Sequence, residues 1–229
     1  MLLLLYDLVL EKRYLDLAEY AIEILESKAE KQKRGVGWLV EANLPPMEGM
    51  AHGSSGIIIP VIALWKKTRK KKYLYLAQEI WEYENSLYDS QINNWKEIRE
   101  ENKKQTDAVS WCHGAAGILV SRIFCYKNIE IPEWKEYFKE DILRAYTKLK
   151  EYWKRDSWCL CHGISGNLWI LENIQEGLFD EIDVEPCYKK YVEFRLLPQE
   201  KMNPGLMNGY GGILYYLLNV EREAILELR

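Results

Sequence analysis

The chain has three histidines, His52, His113 and His162, and each is followed at once by a glycine. One local design surrounds all of them: Ala51-His52-Gly53-Ser54-Ser55-Gly56, Cys112-His113-Gly114-Ala115-Ala116-Gly117 and Cys161-His162-Gly163-Ile164-Ser165-Gly166. A related stretch, Gly205-Leu206-Met207-Asn208-Gly209-Tyr210-Gly211-Gly212, follows downstream. The leading glycines fall at 53, 114, 163 and 209, in steps of 61, 49 and 46 residues. A fixed theme at this period means a repeat architecture, each repeat burying its apolar surface on its neighbours.

Each copy of the design opens a run that is apolar all round, over residues 57–65, 118–125, 168–174 and 213–218. Such helices must be buried. Amphipathic segments follow at 73–88 and 133–154, with a weaker one near 185–196. Another lies upstream at 14–30, with Leu15, Ala18, Ala21, Ile22 and Leu25 at helical spacing. Residues 2–11 read as the end of a further buried helix. Segments 32–51 and 89–110 read as loops, the second with a short helix around 95–103. Strand signals are absent. The expectation is one all-α domain over residues 1–229, an α/α toroid with apolar helices inside and amphipathic ones outside. If several inner helices start at one end of the ring, their glycine-led loops converge on one mouth. Glycine suits those turns through positive φ and close packing.

Composition narrows the function classes. Charged residues make up 29% of the chain and the formal net charge is −4, so nothing global favours nucleic acid or an anionic membrane. The one basic run, Lys66-Lys67-Thr68-Arg69-Lys70-Lys71-Lys72, reads as a solvated turn between two helices. Five scattered cysteines, Cys112, Cys125, Cys159, Cys161 and Cys187, do not make a disulfide framework; a reducing cytoplasm and metal binding fit better. The apolar start Met1-Leu2-Leu3-Leu4-Leu5 lacks a basic region before it and a cleavage site after it, and no stretch is long enough to span a membrane.

At the mouth, His52, Cys112, Cys161 and His162 are expected to face one another. Zinc favours thiolate and imidazole ligands, and catalytic zinc keeps three protein ligands and one open position. Cys112, Cys161 and His162 supply such a set. The alternative is a pair of buried cysteines with a histidine bonded to a helix end. His52 has no cysteine beside it and suits acid/base work, its ordinary pKa lying near neutrality. His113 shares the motif position of His162 and is expected beside the metal or lining the substrate. Cys125 and Cys187 read as core or surface thiols, and Cys159 as pointing away from the metal.

The stretches Ala51–Gly56, Ser110-Trp111-Cys112-His113-Gly114-Ala115-Ala116-Gly117-Ile118, Cys161–Asn167 and Leu206–Ile213 resemble the motif series of the lanthionine synthetase C-like family. The Trp-Cys-His-Gly form is most similar to the C-terminal cyclase domain of class II lanthipeptide synthetases, the bifunctional LanM enzymes. The resemblance implies a double ring of seven helix pairs and a Zn2+ that lowers the pKa of a precursor-peptide cysteine. The thiolate would add to the β-carbon of dehydroalanine or dehydrobutyrine, and the enolate would then be protonated. By the match, Cys112, Cys161 and His162 hold the zinc and His52 is the acid/base. About four and a half helix pairs fit into 229 residues, so the chain is expected to be the C-terminal portion of the ring. A family aspartate would lie upstream, and Ala108 stands where stand-alone cyclases carry arginine. A separate chain supplying the missing N-terminal helices or the dehydratase is an expected partner, beside the dehydrated peptide. Three readings stay open: an active thioether cyclase, a remnant that holds zinc and binds peptide or a partner without turnover, and an unrelated α/α toroid.

Overall fold

The computed structural model describes residues 1–97, 107–155, 157–174, 204–216 and 218. Seven helices follow in order: α1 (Leu2–Val9), α2 (Lys12–Ser27), α3 (Ser54–Thr68), α4 (Lys71–Asn85), α5 (Ala115–Asn128), α6 (Pro132–Tyr152) and α7 (Ile164–Glu172). Residues 210–216 are helical as well. The segment near 185–196 and Cys187 lie outside the described residues. Among the described residues no helix is long and apolar enough to cross a membrane.

Helices pack as sequential pairs, α1 with α2, α3 with α4 and α5 with α6, and the pairs meet through α3, α5 and α7. That inner row carries the all-round apolar runs. In α5 the buried set includes Ala115, Ala116, Gly117, Ile118, Leu119 and Cys125, because its neighbours cover it from several sides. The outer helices bury one stripe each. In α4 it is Tyr73, Leu76, Ala77, Ile80 and Tyr83, and in α6 it is Phe138, Ile142, Ala145, Tyr146 and Leu149. These spacings of three and four residues put the stripe on one helical face. Two apolar cores result, one between α2, α3 and α4 and one between α5, α6 and α7.

Three local expectations change. Helix α1 forms, but none of its residues is buried; Leu4 and Leu8 face solvent because α2 covers only one side of it. The loops hold two small antiparallel ladders, β1 (Glu30–Lys31) with β2 (Val36–Gly37) and β3 (Tyr88–Asp89) with β4 (Asn94–Trp95). Trp95, expected at the start of a short helix, therefore lies in a ladder, where its ring meets Tyr88 edge-on; residues 98–103 of that expected helix lie outside the described residues.

Positive φ is the third. At the helix-opening glycines it occurs at Gly114 (77°), whereas Gly53 and Gly163 are extended. Close approach explains the recurrence better. A Cβ on Gly56, Gly117, Gly166 or Gly212 would come within 1.9–2.3 Å of the carbonyl oxygen six residues earlier, at Met50, Trp111, Leu160 and Leu206. Each loop lies directly on the first turn of its own helix, and a side chain there would push it off.

The basic run does form the turn between α3 and α4. It pairs with acids of neighbouring elements: Lys67 with Asp7, Arg69 with Glu130, Lys70 with Glu19 and Lys72 with Glu23. Exposed pairs of this kind contribute about 0–1 kcal/mol each. Between the layers a buried ion network stands instead. Arg122 of α5 reaches Glu84 of α4 (2.7 Å) and Asp141 of α6 (3.0 Å), and Trp81 donates to the same Asp141 oxygen (2.9 Å). Burial opposes a charged guanidinium, but the two carboxylates outweigh it and hold Arg122 protonated.

Candidate functional site

The four glycine-led loops are joined edge to edge by their backbones. The N–H of Ala51 donates to the carbonyl of Cys112 (3.3 Å), that of Cys112 to Cys161 (3.2 Å), and that of Cys161 to Met207 (2.9 Å). These four residues hold the same place in the design, one before His52, His113, His162 and Asn208. The loops therefore stand in register. Side chains from widely separated sequence positions meet because repeat after repeat delivers the same backbone atom to the same contact.

Within that arrangement the Cys112 and Cys161 sulfurs and a His162 ring nitrogen lie within 4.8 Å of one another. Cys112 is buried, Cys161 half-buried and His162 exposed, so the cluster is rooted in the protein and open on one side. Zn–S and Zn–N bonds of about 2.3 and 2.0 Å in a tetrahedron place donors roughly 3.5–3.8 Å apart. Three donors already inside 4.8 Å fit such an ion with small side-chain rotations. The thiols share a hydrogen bond and titrate as a pair. That bond, with help from the Ser110 hydroxyl 3.5 Å away and the nearby imidazoles, brings Cys112 down to about 5 against the cost of burial. Cys161, beside the sulfur that ionises first, is raised by that same bond and by burial.

His52 is exposed, and its ring stacks on His113 with centroids 5.6 Å apart and planes at 26°. His113 itself is buried. Its Nδ1 lies 3.3 Å from a Glu48 oxygen and 3.7 Å from one of Glu97. Burial works against a charged imidazole, yet the Glu48 hydrogen bond and both carboxylates outweigh it and raise His113. Burial also pushes the Glu48 carboxyl up to about 7, with His113 pulling the other way. Both groups therefore hold their protons to higher pH than usual, one ring away from His52.

Among the described residues, Cys159 and Cys125 stand apart from the cluster. Cys159 accepts hydrogen bonds on sulfur from the Ser157 hydroxyl (3.3 Å) and the His162 N–H (3.5 Å), which steadies the His162 backbone. Cys125 lies inside α5, where burial pushes its thiol up to about 12.

Sequence reading passed over Glu48, Glu97, Glu84 and Arg122. For two of them a signal exists. Glu84 sits four residues after Ile80 on the apolar stripe of α4, and Arg122 interrupts an otherwise apolar run. A charge in such a place needs a buried partner. Glu48 lies in a proline- and glycine-rich loop and carries no periodic signal.

The sequence model of the family described as lanthionine synthetase C-like protein matches residues 1–227. The chain is 33% identical to the lacticin 481/lactococcin biosynthesis protein LcnDR2 of Lactococcus lactis subsp. lactis, over 73% of this chain and 20% of that protein. It thus spans about a fifth of the length of this curated relative. Among solved structures, nisin cyclase matches with a TM-score of 0.59 at 18% identity, over 76% of this chain and 46% of that one. At that identity the likeness shows the fold, an α/α toroid. A family match across almost every residue, on a helical repeat that superposes on a cyclase toroid, makes this chain a member of the lanthionine synthetase C-like family.

Proposed function

We propose that the chain is a zinc-dependent thioether cyclase acting on a dehydrated precursor peptide in the cytoplasm. The cluster of Cys112, Cys161 and His162, open on one side at a mouth where His52 is exposed, is the observation that carries this reading. Family membership and the roles that the relatives' names carry, a lacticin 481/lactococcin biosynthesis protein and a nisin cyclase, support it.

Cys112, Cys161 and His162 would hold the ion. When bound, Zn2+ supplies a Lewis acid that keeps a peptide thiol deprotonated at neutral pH. The remaining chemistry belongs to the protein. Sulfur bonds to the β-carbon of dehydroalanine or dehydrobutyrine, the double-bond electron pair moves into the enolate, and a proton must reach the α-carbon. An exposed imidazole at the mouth can take the proton released by the thiol and return it there, which is the role assigned to His52. His113 packs beneath the His52 ring and lines the mouth from inside. Holding thiol and alkene of one peptide together supplies much of the gain. The reading also assigns further parts to structure outside residues 1–229, on a partner chain or elsewhere: the remaining helices of the ring and the dehydration that makes the alkene.

Zinc per chain, measured by elemental analysis on wild type and Cys161→Ala, is the first test. Near one zinc in the wild type, lost in the variant, is expected. Thioether formation on a dehydrated peptide, followed by loss of free thiol, should fall by about 10²-fold or more in His52→Ala with zinc retained. A folded wild type without zinc overturns the proposal. Zinc and peptide binding without turnover leaves a binding module in its place.

A further inference from the structure

His52 is exposed, and among the described residues no hydrogen bond holds its ring; its contact is the stack on His113. Where the imidazole stands is therefore set by the backbone of the loop that carries it. That loop runs from Gly49 to Ser55, and a single side chain grips both of its ends. Glu84 of α4, fully buried, accepts the N–H of Gly49 (2.9 Å) and the N–H of Ser55 (3.0 Å) on one carboxylate oxygen. Its other oxygen accepts the Ser55 hydroxyl (2.8 Å) and the Arg122 guanidinium (2.7 Å).

Helix α3 opens at Gly53, which has no side chain to cap it. Glu84 does from a neighbouring helix what a capping side chain does locally, and a carboxylate at a helix N-terminus is favoured by the helix dipole as well. On its other side the loop rests on the cysteine loop. Ala51 N–H bonds the Cys112 carbonyl, and Gly49, at φ 89°, passes so close that a Cβ would meet that oxygen at 2.6 Å.

We infer that Glu84, anchored by Arg122, is a positioning residue that fixes the His52 loop against the Cys112 loop and so sets where the His52 imidazole stands relative to the thiol pair. The inference rests on the reading of His52 as the proton-handling group. Glu84 touches no reacting atom; it acts through the loop.

Two double variants separate this role from a plain contribution to stability. Both remove the Glu84–Arg122 pair together, and both are made in an Asp141→Asn background so that no buried carboxylate loses its cation. Glu84→Gln with Arg122→Met keeps an oxygen for the Gly49 and Ser55 N–H groups, and Glu84→Met with Arg122→Met does not. Both are expected to fold and to bind one zinc. The methionine–methionine chain should show kcat lower by about tenfold or more than the glutamine–methionine chain, with KM within about twofold. The nuclear Overhauser contact between the His52 and His113 rings should weaken in the former and persist in the latter. Equal kcat and equal ring contacts in the two variants overturn the inference, as does zinc loss in step with kcat. If the methionine–methionine chain does not fold, Glu84→Asp, one methylene short of the loop, carries the same expectations. A wild type that makes no thioether removes the proposed activity, and the ring contact alone then decides whether Glu84 places His52.

Discussion

A carboxyl group sealed from water beside an imidazole keeps its proton longer than a solvated one, and Glu48 is in that position. Burial raises it from 4.5 to about 7. Between those values the folded chain holds a proton that the unfolded chain has released. Glu48 thus stabilises the fold fully below about pH 4.5, and that contribution is lost as the pH rises through about 7. His113, also raised, acts in the same direction. Glu48→Gln keeps the shape and removes the titration. In the metal-free protein, wild-type melting temperature should fall from pH 5 to pH 8, and the variant's should fall less. The difference in stability should be at most on the order of 3 kcal/mol. Parallel melting curves for the two chains across that range would show that Glu48 does not titrate there.

Helix α7 shows how one side chain can seat an element. Near its start, Asn167 donates to the carbonyls of Val109 (2.9 Å) and Trp153 (3.1 Å), tying α7 to the strand of loop before Cys112 and to the end of α6. Asn167→Leu would leave two buried carbonyls without that donor, at a cost of about 1–3 kcal/mol. Thermal melting should register it, and an unchanged midpoint would count against the tie. The inner helices were legible in sequence because an all-round apolar run has one physical solution, burial, and a glycine marks where each begins. The outer helices α2, α4 and α6 were legible as stripes. The ladders were not, since pairs such as Glu30–Lys31 with Val36–Gly37 are made by backbone atoms and leave no alternation to read. The cluster of Cys112, Cys161 and His162 was legible from residue type and repeat position together. Glu48 under His113 was not, because nothing local distinguishes a loop glutamate that ends up buried from one that stays in water.

Considered together, the helices leave apolar side chains uncovered at both ends of the described repeat array. Leu4 and Leu8 of α1 are open to solvent, as are Leu206, Leu214 and Leu218. A cleft of about 900 Å³ between α1, α2 and α3 has mostly aliphatic walls. Surfaces of this kind favour association. Residues 1–229 should sediment with a concentration-dependent increase in mass, and Leu4→Glu with Leu8→Glu should reduce it without loss of zinc. A monomer at all concentrations would show that these side chains are too scattered to act as a patch. The backbone chain from Ala51 through Cys112 and Cys161 to Met207 has a different consequence. It makes the mouth a turntable of equivalent seats, each spaced from the next by a main-chain bond and not by the side chain it carries. Which seats hold sulfur, and which are followed by an imidazole, is then a choice independent of helix packing. Such a scaffold can change its donors one residue at a time while its frame stays where it is.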